Sequence, residues 1–285
     1  YLIKPDIFVP EIVRMEITQI LGFVGALIIG LVLGLTGGGG SILTVPVFVY
    51  ILHINPVTAT AYSLFVVGSS SAVGAIDNFN KGRIDFKSSL IFALPAVISI
   101  FSTRKYLLPA IPHHIANFGS FELTKDLMIM SFFAILMLVA SASMILKKKK
   151  ECVDCENEPN ESNNGLMILL GALTGLVTGL VGAGGGFIIV PILVFLAGLN
   201  MKEAVGTSLF IIAINSIIGF LGDLGHLNVD WFFLLLFTII SIVGIFFGIY
   251  LSRFINSQKL KKAFGWMVLI MGIYILYMEL SGSGI

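Results

Sequence analysis

Long apolar stretches separated by short polar loops dominate the chain, and their lengths set the elements. No Asp, Glu, Lys or Arg occurs from Ile17 to Ile76, from Ser162 to Met201, or from Trp231 to Ser252, and about 20 such residues make a helix that crosses the hydrocarbon. The pattern predicts a short surface segment over Tyr1 to Glu16, then crossings at Ile17–Leu35, Ala59–Ile76, Ser88–Thr103 and Leu127–Leu146. The third of these ends at Arg104-Lys105, before Pro109 and Pro112. Val45–Leu52 is too short to cross at about 1.5 Å per residue and reads as a half-helix, closed by the turn signal His53-Ile54-Asn55-Pro56. Beyond a hydrophilic linker, Gly165–Val181 is a further crossing or half-crossing, Val190–Ala197 a second half-helix, and Ala204–Leu221, Trp231–Leu251 and Ala263–Tyr277 complete the set.

The second set repeats the first. Gly34-Leu35-Thr36-Gly37-Gly38-Gly39-Gly40, followed by Val45-Pro46, returns as Gly179-Leu180-Val181-Gly182-Ala183-Gly184-Gly185, followed by Val190-Pro191, at a constant offset of 145 (191 − 46). The register holds downstream: Asn55 falls on Asn200, Ser63-Leu64-Phe65 on Ser208-Leu209-Phe210, Gly74 on Gly219, and Asp85-Phe86 on Asp230-Trp231. The domain organisation is therefore a first membrane repeat over 1–146, a linker over 147–164 and a second repeat over 165–285. Each unit holds a glycine-broken helix pair and three transmembrane helices. Three full helices plus a pair counting as two or none gives an odd number of crossings, so consecutive units point opposite ways. The fold class expected is an all-α integral membrane protein built from two inverted repeats.

Composition agrees. With 57% hydrophobic and 12% charged residues, the chain is far from the roughly 25% charge of a soluble domain. A net charge of +1 gives no reason to expect a nucleic-acid partner; the basic residues read as topology signals. With Lys147 to Lys150 cytoplasmic, the inner loops also take Lys81, Arg83, Lys87, Lys202, Arg253, Lys259, Lys261 and Lys262, and the outer side takes Lys4, Arg14, Arg104, Lys105 and Lys125. That distribution places both termini outside an inner (plasma) membrane, although Arg104-Lys105 runs against it.

Irregular backbone in hydrocarbon costs several kcal/mol per unsatisfied group and persists only where protein buries it or water reaches it. Two glycine runs at membrane depth therefore predict an internal cavity. Adjacent N–H groups at the start of a half-helix form a site of positive partial charge that prefers an anion, and in inverted-repeat carriers such breaks meet near the midplane. Gly22, Gly25 and Gly30 read instead as small packing positions. The substrate-binding candidates are Gly38, Gly39, Gly40, Gly184, Gly185 and Gly186, with Thr36 and Ser41 flanking the first break.

The doubled glycine segments, each followed by an Asn turn and later by Gly82-Arg83-Ile84-Asp85-Phe86 or Leu227-Asn228-Val229-Asp230-Trp231, resemble the sulfite exporter TauE/SafE permease family. The resemblance covers nearly the whole chain outside the linker. It implies a secondary carrier of small anions, typically sulfite, organosulfonates or related sulfur compounds, and no enzyme activity or cofactor. The expected partners are that anion and the lipid bilayer, and a homodimer is compatible with the sequence.

Ser69-Ser70-Ser71 matches Ile214-Asn215-Ser216 by offset. Ser70 and Asn215 are candidate hydroxyl and amide donors completing an anion shell, the alternative being bonds to their own helix or a neighbour. No charged residue lies deep in an expected crossing, which leaves coupling to a co-transported ion, substrate protonation or uncoupled flux. Asp77, Asp223, His53 and His226 read as solvated helix-end residues. Cys152-Val153-Asp154-Cys155 in the linker has half the spacing of a zinc site and also a redox spacing, so it reads as a plain loop, a metal site shared by two chains or a thiol switch. The competing function is a membrane-embedded sulfur-relay or thiol oxidoreductase component using that pair.

Overall fold

The computed structural model describes residues 11–112, 114–118, 121–146, 164–225, 227–252, 254 and 257–281. The linker lysines and the Cys152/Cys155 pair lie outside the described residues, as does His226. Ten helical elements follow in order: α1 Glu11–Thr36, α2 Gly39–Ile51, α3 Pro56–Asn80, α4 Phe86–Ala110, α5 Lys125–Leu146, α6 Asn164–Val181, α7 Gly186–Leu196, α8 Met201–Asp223, α9 Trp231–Leu251 and α10 Ser257–Leu280. Seven of these are long and apolar enough to cross a membrane. A short antiparallel hairpin, β1 His114–Phe118 and β2 Phe121–Thr124, joins α4 to α5, a departure from the all-α class expected.

The caps explain why the repeats start where they do. Asn55 and Asn200 accept from the backbone N–H groups of Val57 and of Lys202 and Glu203, and Asp85 and Asp230 cap α4 and α9 in the same way. Pro56, at the first helical position of α3, loses no bond for its missing N–H. Each capping Asp also ties its repeat to the other: Asp85 N donates to Thr207 Oγ1 at 3.0 Å, and Asp230 N to the Tyr62 hydroxyl at 2.8 Å. Thr207 is the offset partner of Tyr62. The half-helices also end alike, on His53 and Gly198, offset partners that both take positive φ.

Packing between the halves is reciprocal. α1 lies along α9 and α4 along α6, while α3 crosses α8 and α5 packs on α10. A Cβ added at Gly30 would sit 1.9 Å from the Ser241 carbonyl oxygen, and one at Gly175 would sit 2.3 Å from that of Ala96. At these positions backbone touches backbone, as small residues allow in membranes. Gly22 and Gly25 instead face the side chains of Leu52 and Val47 in their own half-helix. Along α3 and α8, Gly74 meets Leu209 and Gly219 meets Leu64, while Gly68 meets Ile217 and Gly206 meets Asn78. Residue numbers rise on one helix as they fall on the other, so these offset partners run in opposite directions.

Several boundaries differ from the sequence reading: α2 and α7 begin at Gly39 and Gly186 rather than Val45 and Val190, and α10 at Ser257 rather than Ala263. α1 begins at Glu11, six residues before the expected start. The third crossing does not end at Arg104-Lys105: α4 passes through a π-helical stretch, Thr103–Leu107, and continues to Ala110. An i→i+5 stretch absorbs an extra residue without breaking the helix, so a basic pair that looked like a terminus lies inside it.

Candidate functional site

The two glycine breaks meet. α1 ends at Thr36, and Gly37 and Gly38 carry φ of 71° and 145° before α2 begins at Gly39. In the second repeat Gly182, Gly184 and Gly185 have φ of 74°, 65° and 71° before α7. Gly38 and Gly186 touch backbone to backbone: a Cβ on Gly186 would lie 2.5 Å from Gly38 Cα, and one on Gly38 would lie 2.8 Å from Gly186 Cα. Each break is also seated on the other repeat's crossing helix, Gly37 against Val205 and Gly182 against Thr60, which are offset partners.

This closeness leaves no space between Gly38 and Gly186 themselves. In this conformation the breaks are filled by their own backbones, and an apolar groove of about 510 Å³ lies elsewhere, between α3 and α8, lined by Ala72, Ile76, Phe79, Phe86, Phe210 and Ile217. Exposed Ile76, Phe79 and Phe86 turn that groove to the surface.

Several amides of the breaks are already used. Gly37 N donates to Leu33 O, Gly39 N to Thr36 Oγ1, Ser41 N to Gly38 O, Gly182 N to Thr178 O and Gly185 N to Ala183 O. The amides of Gly38, Gly184 and Gly186 have no such acceptor among the described residues. Beside them, Ser216 Oγ is fully buried, has no hydrogen-bond partner, and lies 3.4 Å from where a Cβ on Gly184 would stand. Buried polar atoms without partners cost about 1–3 kcal/mol each, so their collection at the break needs a reason. Ser71, the offset partner of Ser216, is likewise buried with a partnerless Oγ, and Ser63 and Thr44 add two more such hydroxyls.

The other sequence candidates separate by what they touch. Thr36 donates to Val32 O at 2.8 Å and accepts from Gly39 N, so it caps the end of α1. Ser41 Oγ donates to Gly38 O at 2.7 Å and braces the break. Ser70 Oγ donates to Ser241 Oγ at 3.0 Å, tying α3 to α9. Asn215 is buried and its Oδ1 has no partner. Gly40 packs with its Cα face against Leu33 N, where a Cβ would come within 2.4 Å. Thus Gly38, Gly184, Gly186 and Ser216 carry unused hydrogen-bonding capacity at the breaks, and Thr36, Gly39, Ser41 and Gly185 brace them. Ser70 is spent on the α3–α9 contact, and Asn215 is not among the nearest neighbours of a Cβ at Gly38, Gly184 or Gly186.

Charged residues are buried where none were expected. Arg104 is 0% exposed; its Nη1 donates to Asp223 Oδ2 at 3.0 Å and to Thr60 Oγ1 at 3.0 Å. Asp223 is buried rather than solvated, and Arg104 is not an outer-loop charge. Lys125 is buried with its ammonium donating to Leu108 O, and Glu279, near the end of α10, accepts from the Tyr50 hydroxyl at 2.8 Å. His53, by contrast, is exposed, and Asp77 pairs with Lys81 near the surface. The one signal in the sequence that pointed to Arg104 was its conflict with the charge distribution of the loops.

Comparison with known proteins agrees with this architecture. The family model described as Sulfite exporter TauE/SafE matches residues 22–275. A probable membrane transporter protein of Xylella fastidiosa is 29% identical over 255 residues, covering 88% of this chain and 92% of that one. The probable membrane transporter protein YdhB of Bacillus subtilis is 26% identical over 250 residues, covering 88% and 97%, and one from Methanocaldococcus jannaschii is 39% identical over 116 residues, covering 39% and 43%. No solved structure matches. With its apolar crossing helices, paired glycine breaks and a family match spanning nearly all the described membrane helices, the chain belongs to the TauE/SafE family of membrane transporters.

Proposed function

We propose that the protein is a secondary exporter of a small sulfur-containing anion, sulfite or an organosulfonate, held where the two glycine breaks meet. The observation that carries the reading is the set of unused donors there: the amides of Gly38, Gly184 and Gly186 and the hydroxyl of Ser216. Backbone amides that converge without a side chain in the way suit a compact oxyanion and bind it without a fixed positive charge. The two units are read as an inverted repeat in the inner membrane, with both termini outside. The opposed directions of α3 and α8 and the reciprocal contacts between offset partners support this, because a two-fold relation makes the same contact twice. Charge distribution supports it further. With Arg104 and Lys125 buried, two of the five basic residues assigned to the outer side are removed from the count of exposed charge there.

The test of function is flux in proteoliposomes loaded with sulfite, sulfate, thiosulfate or ethanesulfonate, with and without a pH gradient. Saturable movement of sulfite or the sulfonate is expected, and a protein that moves none of the four would end this reading. For the topology, a cysteine placed at Ser162 should react with an impermeant thiol reagent only from the cytoplasmic side and one at Ser283 only from outside. Labelling of both from one side would contradict the inverted arrangement.

A further inference from the structure

The buried arginine of α4 is bonded on one side only. Nη1 serves both Asp223 and Thr60, while Nε and Nη2, the parallel side fork of the guanidinium, have no hydrogen-bond partner among the described residues although they are out of contact with water. That fork matches the spacing of two oxygens on one oxyanion. A single contact separates it from the second break: the Thr60 hydroxyl takes the guanidinium, and the Thr60 backbone abuts Gly182, where a Cβ would lie 2.4 Å from its carbonyl oxygen. Gly222 on α8 makes room for the arginine, since a Cβ there would come within 3.1 Å of Arg104 Cβ. The π-helical stretch that carries Arg104 has no counterpart in α9, which is α-helical throughout Trp231–Leu251.

The two-fold relation supplies the control. At the offset positions in the other half, Arg104 is replaced by Ile249, Asp223 by Asn78 and Thr60 by Val205. Asn78 bonds Gly74 O within its own helix. Among the described residues the fold thus closes one end of the α3–α8 crossing with no ion pair between neighbouring helices, and such a pair at the other end is not a requirement of the packing. We infer that Arg104 is a second anion-binding residue, specific to one membrane face, which takes an oxyanion through Nε and Nη2 while Asp223 and Thr60 hold Nη1 and orient the fork. The inference rests on the anion-carrier reading above, and it makes the path asymmetric: a neutral end at the Asn78 face and a charged end at the Arg104 face.

The test is the affinity of purified, folded protein for sulfite and ethanesulfonate in wild type, Arg104→Lys and the double variant Arg104→Met/Asp223→Leu. Lysine keeps the charge and its partner but loses the fork, and the double variant removes both charges together, so folding survives if the lysine variant fails to assemble. Loss of a charge-assisted pair of bonds should weaken binding by roughly 10-fold or more in both variants. Wild-type affinity in the double variant would show that the pair is a structural tie and overturn the inference while leaving the carrier reading intact. A wild type that binds neither anion would remove both.

Discussion

Replacing Asp223 by Ala should destabilise the protein by about 3–5 kcal/mol, as expected when one partner of a buried ion pair is removed and the other charge stays behind. Arg104 is 0% exposed and its carboxylate partner nearly so, at 3.0 Å; without it the guanidinium keeps, among the described residues, the Thr60 hydroxyl as its one acceptor. Removing both charges is a different experiment. In Arg104→Met/Asp223→Leu neither charge of the pair remains, and Thr60 is still satisfied because its hydroxyl donates to Val57 O at 2.8 Å. Replacing a whole pair by apolar groups is often neutral or better, so the double variant should unfold in detergent within about 1 kcal/mol of wild type. An Asp223→Ala protein as stable as wild type would mean that Asp223 is not the counter-ion that lets Arg104 sit in the interior.

The repeat was the most legible feature. An offset constant over many positions located the helix pairs, the Asn and Asp caps and the two breaks, because capping, proline and glycine act through local backbone geometry that residue type alone discloses. What failed were inferences that needed a partner. Arg104 and Asp223 stand 119 residues apart, and each looks like a helix-end charge until α4 and α8 are laid side by side. The π-helical stretch that keeps Arg104 inside α4 has no sequence signature, so the basic pair read as a stop. Ser70 and Ser71 are adjacent in sequence, and only the packing of α9 shows that Ser70 is spent on Ser241 while Ser71 remains unbonded. The glycine runs were recognised as breaks, but their tight closure on each other depends on both repeats and could not be seen in either.

The central claim is that the meeting point of the breaks holds the anion, and alanine scanning of its glycines tests it most directly. At Gly38 an added Cβ would stand 2.8 Å from Gly186 Cα on a backbone with φ of 145°, and at Gly184 it would stand 2.7 Å from Val67 Cγ1 at φ of 65°. A side chain in that region costs of order 1–3 kcal/mol, and a backbone that shifts to avoid the cost carries the amides of Gly38, Gly184 and Gly186 out of register. Gly22 is the control, since the nearest atoms to a Cβ there belong to the flexible end of the Leu52 side chain, 2.6 Å away, rather than to backbone. The decisive measurement is sulfite and ethanesulfonate affinity on purified, folded wild type, Gly38→Ala, Gly184→Ala and Gly22→Ala. The account predicts a loss of roughly 5- to 150-fold at Gly38 and Gly184 with Gly22→Ala close to wild type; equal affinity in all four proteins would contradict it and assign the breaks to packing alone.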